Sequence, residues 1–544
     1  MVRDMDGKLD WRGKLALAAL LALGAWPFIS GLGLWPMAPD SGLWIARGAP
    51  IDPDWSQWVF GTRHFHVGYR PVTALSYTLN YALSGLAPLP YRVTDLLLHL
   101  AAALGVFAVS RRLFREASPW PALLATGLFL AHPAIEQAVP YIARRSYSLS
   151  TALALAGLAT WLGPADRRPR PASMRPIFAG VLFALALLSN EVAVLPIATL
   201  PLLAWSRASP GRGRLGRCVP GLLAPGLLLG LALLIRLWVV GGVGGYSTEG
   251  GDTARVLPVF AAAARAAAGL PTPTDPAAPL TQWLLLGIAL PYYLLRCLAG
   301  PAKRRILGLW ILATAALFAL QEVWFPRQGH AFAAPVALLA AQLLCETLRS
   351  PRAPARRLLE LVPQALLIVA LLSGSAVVRG PEAERTLEWA RRDALIDDML
   401  EQIGSLDEGC DVHTVFPFER AEASTLALRG DASKKLLPRA ARQPVTWLKV
   451  LLGERDVRVQ EFAYVLRVQG TEFEAAALEQ TATPPILVLP DEREYLLRSG
   501  ARWIPFDTTA ERRQPFTPPQ PAQGRRVFAY LAGLEGGELI AVDE

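Results

Sequence analysis

Asp40 follows the first long apolar run at once, in WPMAPDSGLWIARGAP. A carboxylate there, flanked by Trp35 and Trp44 at a membrane face, is placed to act as a general base on an acceptor hydroxyl. Asp52 and Asp54 are rivals in the same stretch, and an ordinary solvated aspartate is the plainer reading of each. Arg70, Arg144, Arg145 and Arg327 border apolar runs elsewhere. Arginine grips phosphate oxygens, often through two parallel hydrogen bonds, so these four are candidate binders of a lipid-linked phosphate. A salt bridge to a loop carboxylate or contact with a lipid headgroup is the competing reading.

Histidines gather in the same connecting segments. His64, His66, His132 and His330 join Tyr69 as candidate pocket-lining residues. In HPAIE, His132 stands four residues before Glu136, a metal-compatible spacing on a helix. Pro133 and the lack of a cysteine partner weaken that reading, and a divalent metal is not indicated. Glu191, in LSNEVAV, and Glu322, before VWFPRQGH, are placed to orient an arginine or bind an acceptor. Asp95 and His99 lie one helical turn apart within an apolar run. They are read either as an internal pair locking helices together or as a catalytic pair. GGVGGYSTEGG (241–251) lacks the strand-to-helix setting of a nucleotide loop and reads as an outer loop.

The elements that position these residues are membrane spans. Of 544 residues, 53% are hydrophobic and 18% charged, and the apolar residues come in long runs. The first run, Leu15 to Leu34, lacks a clear cleavage site and reads as a retained span. Five basic connectors recur: SRRLFREASP, DRRPRPASMR, SRASPGRGRLGR, GPAKRR and LRSPRAPARR. Placing all five in the cytoplasm accounts for much of the net charge of +9 without nucleic acid as a partner. Spans then fall near 15–35, 92–110, 119–131, 147–163, 175–189, 192–206, 218–240, 280–298, 305–321, 331–348 and 358–378. That makes about eleven transmembrane helices, with the N-terminus cytoplasmic and the C-terminus outside. Arg70, Arg144, Arg145 and Arg327 all fall on the outer side, which the positive-inside rule disfavours unless they have work to do there.

Two stretches need separate treatment. Residues 71–86 are apolar, yet a crossing there would reverse every later connector. Val72, Leu75, Leu79, Leu83 and Leu86 form one face, and Thr73, Ser76, Asn80 and Ser84 the other. At ~24 Å they are too short for a ~30 Å core, so an interfacial helix is expected within a long outer loop, 36–91. Residues 175–206 read as one tilted helix or as two arms meeting at Ser189-Asn190-Glu191, and flanking arginines favour two. The fourth outer loop, 241–279, is also long, and those near 132–146, 190 and 322–330 are short but polar. The domain boundary falls at 379/380. Beyond it, 380–544 reads as a soluble α/β domain, with a helix over 381–403, strands in VHTVFPF, VRVQEFAYVLRV and PPILVLP, and a helix in DEREYLLRSG. Cys218, Cys297 and Cys345 read as packing cysteines, and Cys410 stands alone.

Three motifs then carry a resemblance. GYRPVTALSYTLNYALSGLAPLPYRVTDLLLHLAAALGVFAVSRRLF, AHPAIEQAVPYIARRSYSLS and LALLSNEVAVLPIATLPLL occur in the order seen in the protein O-mannosyltransferase-like group of polytopic GT-C glycosyltransferases. That group includes the transmembrane, tetratricopeptide-bearing mannosyltransferases. The resemblance implies a GT-C-like α-helical membrane domain over 1–379. It implies a glycosyltransferase of hexosyl or mannosyl type, using a polyprenyl-phosphate-linked sugar on the outer face, usually with inversion. Asp40 maps to the family's catalytic aspartate. Arg70, Arg144, Arg145 and Arg327 would bind the donor phosphate. His64, His66, Tyr69, His132, Glu136, Glu191 and His330 would line the pocket. Partners would be membrane lipid, the lipid-linked sugar, and a protein or glycan acceptor, in a bacterial inner membrane. The chain departs from the pattern at three places: Pro39 replaces an Asp that often precedes the catalytic one, Asn190 replaces a Lys, and Ser146 replaces an acidic residue. No tetratricopeptide pattern follows. A transporter of lipid-linked sugars, or an inactive envelope scaffold, are the alternatives from other classes.

Overall fold

The computed structural model describes residues 9–33, 69–85, 87–114, 118–136, 138–163, 174–208, 214–240, 253–268, 280–320, 326–351 and 353–372 of the helical part. Beyond it, residues 398, 401–403, 405–406, 410–415, 457–461, 465–469, 472–476, 496–499, 502–505, 526–532 and 537–541 are described. Asp40, Asp52, Asp54, His64, His66, Glu322 and the glycine-rich 241–251 lie outside these. The chain divides into two compact units, one holding the described helices to residue 372 and one holding the strands.

The apolar runs are helical where described. In chain order the helices are α1 (Trp11–Ile29), α2 (Pro71–Ser84), α3 (Pro88–Phe114), α4 (Trp120–Leu130), α5 (Arg145–Leu162) and α6 (Arg175–Ser189). There follow α7 (Val194–Ala198), α8 (Leu200–Arg207), α9 (Arg214–Val240), α10 (Thr253–Ala267), α11 (Leu280–Leu298), α12 (Ala302–Leu320), α13 (His330–Arg349) and α14, residues 354–372. Among the described residues four segments are long and apolar enough to cross a membrane: Trp11–Ile29, Pro88–Phe114, Cys218–Val240 and Arg327–Arg349.

The core is built largely of alanine and leucine, with Phe129, Phe183, Phe318 and Phe332 among its large side chains. Small residues bring the helices close. A Cβ on Gly105 would meet Leu155 Cβ at 2.7 Å, and one on Gly157 would meet Phe183 at 2.7 Å. Thus α3, α5 and α6 pack at distances only small residues allow. Outward, α9 exposes Leu223, Leu227, Leu231, Leu234 and Trp238. In water such a stripe would be an aggregation patch; against lipid it is the normal surface. Cys218, Cys297 and Cys345 are buried and unbridged, as packing cysteines should be.

The amphipathic segment is α2. Its polar side turns inward: Thr73, Ala74, Tyr77 and Asn80 are buried, while Leu75, Leu79 and Leu83 face out. Pro71 starts it, and Gly85, at φ 58, lets the chain leave it. Thr73 Oγ1 donates to the Ser189 carbonyl at 2.9 Å, and Asn80 Nδ2 donates to Thr94 Oγ1 at 2.9 Å. These bonds fix α2 against α6 and α3.

Residues 175–206 are not one helix. Asn190 is extended (φ −160, ψ 136), and the chain restarts in a 3-10 turn, Glu191–Ala193. The Asn190 carboxamide oxygen caps that turn by accepting from Val192 N at 3.1 Å.

The outer loop expected over 241–279 contains α10. Val259, Ala263 and Ala267 are buried at four-residue spacing along it, a face that only packing makes helical.

In the C-terminal unit the strands are β1 (Cys410–Val415), β2 (Val457–Glu461), β3 (Val465–Gln469), β4 (Glu472–Ala476), β5 (Leu496–Ser499), β6 (Arg502–Pro505), β7 (Arg526–Ala532) and β8 (Gly537–Ala541). One sheet runs β2-β1-β7-β8, with β1 parallel to both β2 and β7, and β8 antiparallel to β7. The helix expected in DEREYLLRSG is corrected over Leu496–Ser499, which pairs antiparallel with Arg502–Pro505. Cross-strand pairing there overrides the local helical pattern. The strand expected in PPILVLP lies outside the described residues.

Candidate functional site

The break at Asn190 positions the main charged cluster. Arg70, at the N-cap of α2, donates from Nη2 to Glu191 Oε1 at 2.8 Å and from Nε to Oε2 at 3.2 Å. This is the bidentate fork geometry that favours Arg over Lys. Arg236, near the end of α9, lies with Nη2 4.0 Å from Glu191 Oε2 and donates from Nη1 to the Tyr69 carbonyl at 2.9 Å. Two guanidiniums therefore share one carboxylate. Burial works to raise the Glu191 carboxyl, but Arg70 and then Arg236 outweigh it and hold it down at about 2. The Tyr69 hydroxyl is pushed up by burial.

Arg236 was absent from the candidates read from the sequence. The signal that could have found it is its place in LALLIRLWVV, since a charge inside an apolar span faces protein and usually has a partner.

Ser146 and Asn190 complete the cluster. Asn190 Nδ2 donates to Ser146 Oγ at 3.0 Å, and Arg70 Nη1 reaches the same oxygen at 3.4 Å. The two departures from the family pattern therefore touch. A neutral hydrogen bond joins them.

Arg145 is placed elsewhere. It is 1% exposed and held by internal partners. Nε meets Asp95 Oδ1 at 2.5 Å, Nη1 meets Asn80 Oδ1 at 2.6 Å and the Ser76 carbonyl at 3.1 Å, and Nη2 meets the Tyr91 carbonyl at 3.0 Å. Its guanidinium also lies 4.4 Å from the Tyr77 ring centre. Asp95 thus pairs with Arg145, not with His99, and the pair joins α2, α3 and α5. Arg144 stacks on the Tyr141 ring at 3.8 Å. Arg327 is the second residue of the 3-10 turn Pro326–Gly329 before α13 and is partly buried.

The histidines form a second group. His132 caps the 3-10 turn Pro133–Ile135, its Nδ1 accepting from Ala134 N at 3.3 Å. Since that turn is not α-helical, His132 and Glu136 do not stack as a helical i, i+4 pair. Burial pushes His132 down, to about 3, and His330 adds to this against the Ala267 carbonyl, so its imidazole is neutral. His330 Nδ1 lies 3.5 Å from Thr151 Oγ1, and both His330 and His99 pack on Phe129. Glu136 is buried beside this turn. Among the described residues no group of three His, Cys, Asp or Glu is spaced to hold a metal ion.

These features describe a multi-pass helical membrane protein with a charge cluster where the amphipathic helix α2 meets the break at Asn190. The resemblance carried by the three motifs is borne out by sequence comparison. Over 81 residues, 15% of the chain, it is 38% identical to protein O-mannosyl-transferase Tmtc1 of Drosophila melanogaster, covering 9% of that protein. Over 96 residues, 18% of the chain, it is 31% identical to human protein O-mannosyl-transferase TMTC3, covering 10% of it. The chain thus matches about a tenth of the length of these relatives. No family model matches. Among solved structures it is similar to ArnT from Cupriavidus metallidurans bound to undecaprenyl phosphate, with TM-score 0.45 and 15% identity over 82% of this chain and 89% of that one.

Proposed function

We propose that the chain is a membrane glycosyltransferase that moves a sugar, of hexosyl or mannosyl type, from a polyprenyl-phosphate-linked donor to an acceptor hydroxyl on the extracytoplasmic face. The observation that carries this reading is the sharing of Glu191 by Arg70 and Arg236, a cluster with one more cation than anion. Similarity to the O-mannosyl-transferases supports the same reading.

In the proposed reaction Asp40 takes the proton of the acceptor hydroxyl. The acceptor oxygen bonds to the anomeric carbon as the bond from that carbon to the phosphate oxygen breaks. Charge then collects on the departing lipid phosphate, where Arg70 and Arg236 stabilise it, with Arg144 and Arg327 as further donors. Arg145 is assigned a structural role. His132, Glu136 and His330, with His64, His66 and Tyr69, would line the pocket. The membrane part would cross about eleven times in a bacterial inner membrane, and 380–544 would form an extracytoplasmic α/β domain that positions an acceptor.

The test is sugar transfer by membranes carrying Asp40→Asn. At least a hundredfold loss of rate is expected for a general base. Full activity would remove Asp40 from the role.

A further inference from the structure

The basic connectors SRRLFREASP, DRRPRPASMR and SRASPGRGRLGR lie far apart in the chain, and the sequence places all three on one side of the membrane. The fold brings one arginine from each to a single helix end, the C-terminus of α5. Arg112, in the last turn of α3, donates from Nη1 to the Ala159 carbonyl. Arg207, the last residue of α8, donates from Nη1 to the Leu162 carbonyl at 3.0 Å. Arg175, the first residue of α6, lies against Gly163, where a Cβ would fall 2.8 Å from its Nη1. Gly163 ends α5 at φ 67, a conformation that suits glycine. The three guanidiniums thus gather over residues 159–163, about one helical turn.

Capping α5 accounts for only part of this arrangement. The C-terminus of a helix carries roughly half a negative charge, against three full cations here. Carbonyls accept hydrogen bonds but leave the guanidinium charge in place. Among the described residues Arg112 and Arg175 pair with no carboxylate, and Arg175 makes no hydrogen bond. The Arg112 and Arg175 charges lie close enough to repel each other. By contrast, Arg70 is matched by Glu191 and Arg145 by Asp95. All three arginines of the α5 end are partly exposed. Unlike Arg296 and Arg304, whose Nε atoms are sealed without an acceptor, Arg175 keeps its unbonded nitrogens at the surface. A guanidinium has five N–H donors in a fork suited to phosphate, so each can serve a ligand beyond its carbonyl.

An apolar stripe leads away from this charge. Met174, Ile177, Phe178 and Val181 are exposed along α6 at i, i+3, i+4 and i+7, and Phe178 lies one turn from Arg175. Trp161 marks the same level: its Nε1 donates to the Gly221 carbonyl at 2.8 Å, and the Arg207 guanidinium lies 6.0 Å from its ring centre. Tryptophan favours this depth, between headgroups and hydrocarbon. The matching ligand has a net negative phosphate group joined to hydrocarbon chains. We propose that this helix end binds an anionic phospholipid, with its phosphodiester on Arg112, Arg175 and Arg207 and its acyl chains along the α6 stripe. Basic pockets between spans bind such headgroups. Phosphatidylcholine has the same phosphodiester, but its ammonium would sit among three cations. Phosphatidylglycerol brings a neutral glycerol instead. The proposal does not depend on the sugar-transfer reading.

The test uses the full chain, delipidated in detergent and then exposed to vesicles of phosphatidylglycerol or phosphatidylcholine with the same acyl chains. Bound lipid is counted by native mass spectrometry. The wild type should retain phosphatidylglycerol with at least tenfold preference. Arg175→Gln should cut that preference at least fivefold, and Arg112→Gln, on a different helix, should do the same. Arg175→Lys keeps the charge and should keep most of the preference. Arg356→Gln is the control: Arg356 is a 70% exposed arginine of another basic connector, and its loss should leave the preference unchanged. The thermal midpoint guards against a folding defect. Arg175→Gln should match the wild type in phosphatidylcholine and lose only the extra rise given by phosphatidylglycerol. No preference in the wild type, or an equal loss in Arg356→Gln and Arg175→Gln, would overturn the proposal; in the second case general attraction to a basic face would suffice. Displacement of the lipid by soluble glycerophosphoglycerol at equal concentration would overturn a membrane lipid as the ligand.

Discussion

Replacing Glu191 by Gln removes the single carboxylate that two buried arginines share, and its effect can be worked out from the geometry. The Glu191 carboxyl is held at about 2 against an ordinary 4.5. That gap corresponds to ~3 kcal/mol favouring the charged form in the folded protein. The side chain is 21% exposed, so solvent trims the figure toward ~2 kcal/mol. Because the folded value lies below the unfolded one, this stability is complete above pH 4.5 and is lost as pH falls toward 2. Glu191→Gln forfeits it at neutral pH and leaves Arg70 and Arg236 facing each other, for a total cost of ~3–5 kcal/mol. The assay is the thermal midpoint of the purified full chain in detergent, read from pH 7 down to pH 3. The variant should melt several degrees below the wild type at pH 7, with the deficit narrowing below pH 4.5. Added polyprenyl phosphate should raise the midpoint more in the variant than in the wild type, since a phosphate can replace the missing carboxylate. Equal midpoints at pH 7, or a deficit that does not narrow with acid, would refute the reasoning.

The Asn190–Ser146 bond predicts coupling. Asn190→Lys alone puts a third cation beside Arg70 and Arg236 and should cost ~2 kcal/mol or more, while adding Ser146→Asp should recover at least ~1 kcal/mol in a double-mutant cycle of thermal midpoints. Arg145→Met should destabilise by ~3–5 kcal/mol by leaving Asp95 buried and unpaired. Combining it with Asp95→Asn should regain part of that loss, and a combined variant no more stable than Arg145→Met would remove the ion pair as the cause.

Hydropathy and charge alone located the long helices, because apolar runs of this length have few other solutions. The two faces of 71–86 were also legible, and the leucine face is the outward one. Arg70 and Glu191 could be picked as charges at the ends of apolar runs, and the notion that Glu191 orients an arginine matches its fork on Arg70. Their distance of 121 positions in the chain hid the pairing itself. Arg144 and Arg145 look alike in sequence, yet one stacks on Tyr141 and the other is sealed among α2, α3 and α5. That difference depends on where Asp95 and Asn80 arrive, which no local pattern encodes. Helix α10 was read as loop because its buried face is mostly alanine, too weak a signal without the surface it packs on.

The Asp95–Arg145 lock has a consequence for how the protein enters the membrane. Asp95 belongs to α3, and its partner is made about fifty residues later, at the head of α5. An acidic side chain at the centre of a span resists insertion by ~2.5–3.5 kcal/mol; Asp95, near the outer end of 92–110, carries part of that cost, and Arg145 lies just outside 147–163. Asp95 has no charge partner until Arg145 is made. α3, α4 and α5 are therefore expected to leave the insertion machinery together, as one hairpin-bearing unit whose charges are already neutralised. A truncation ending between α4 and α5 should stay bound to that machinery, whereas one ending after α5 should be released.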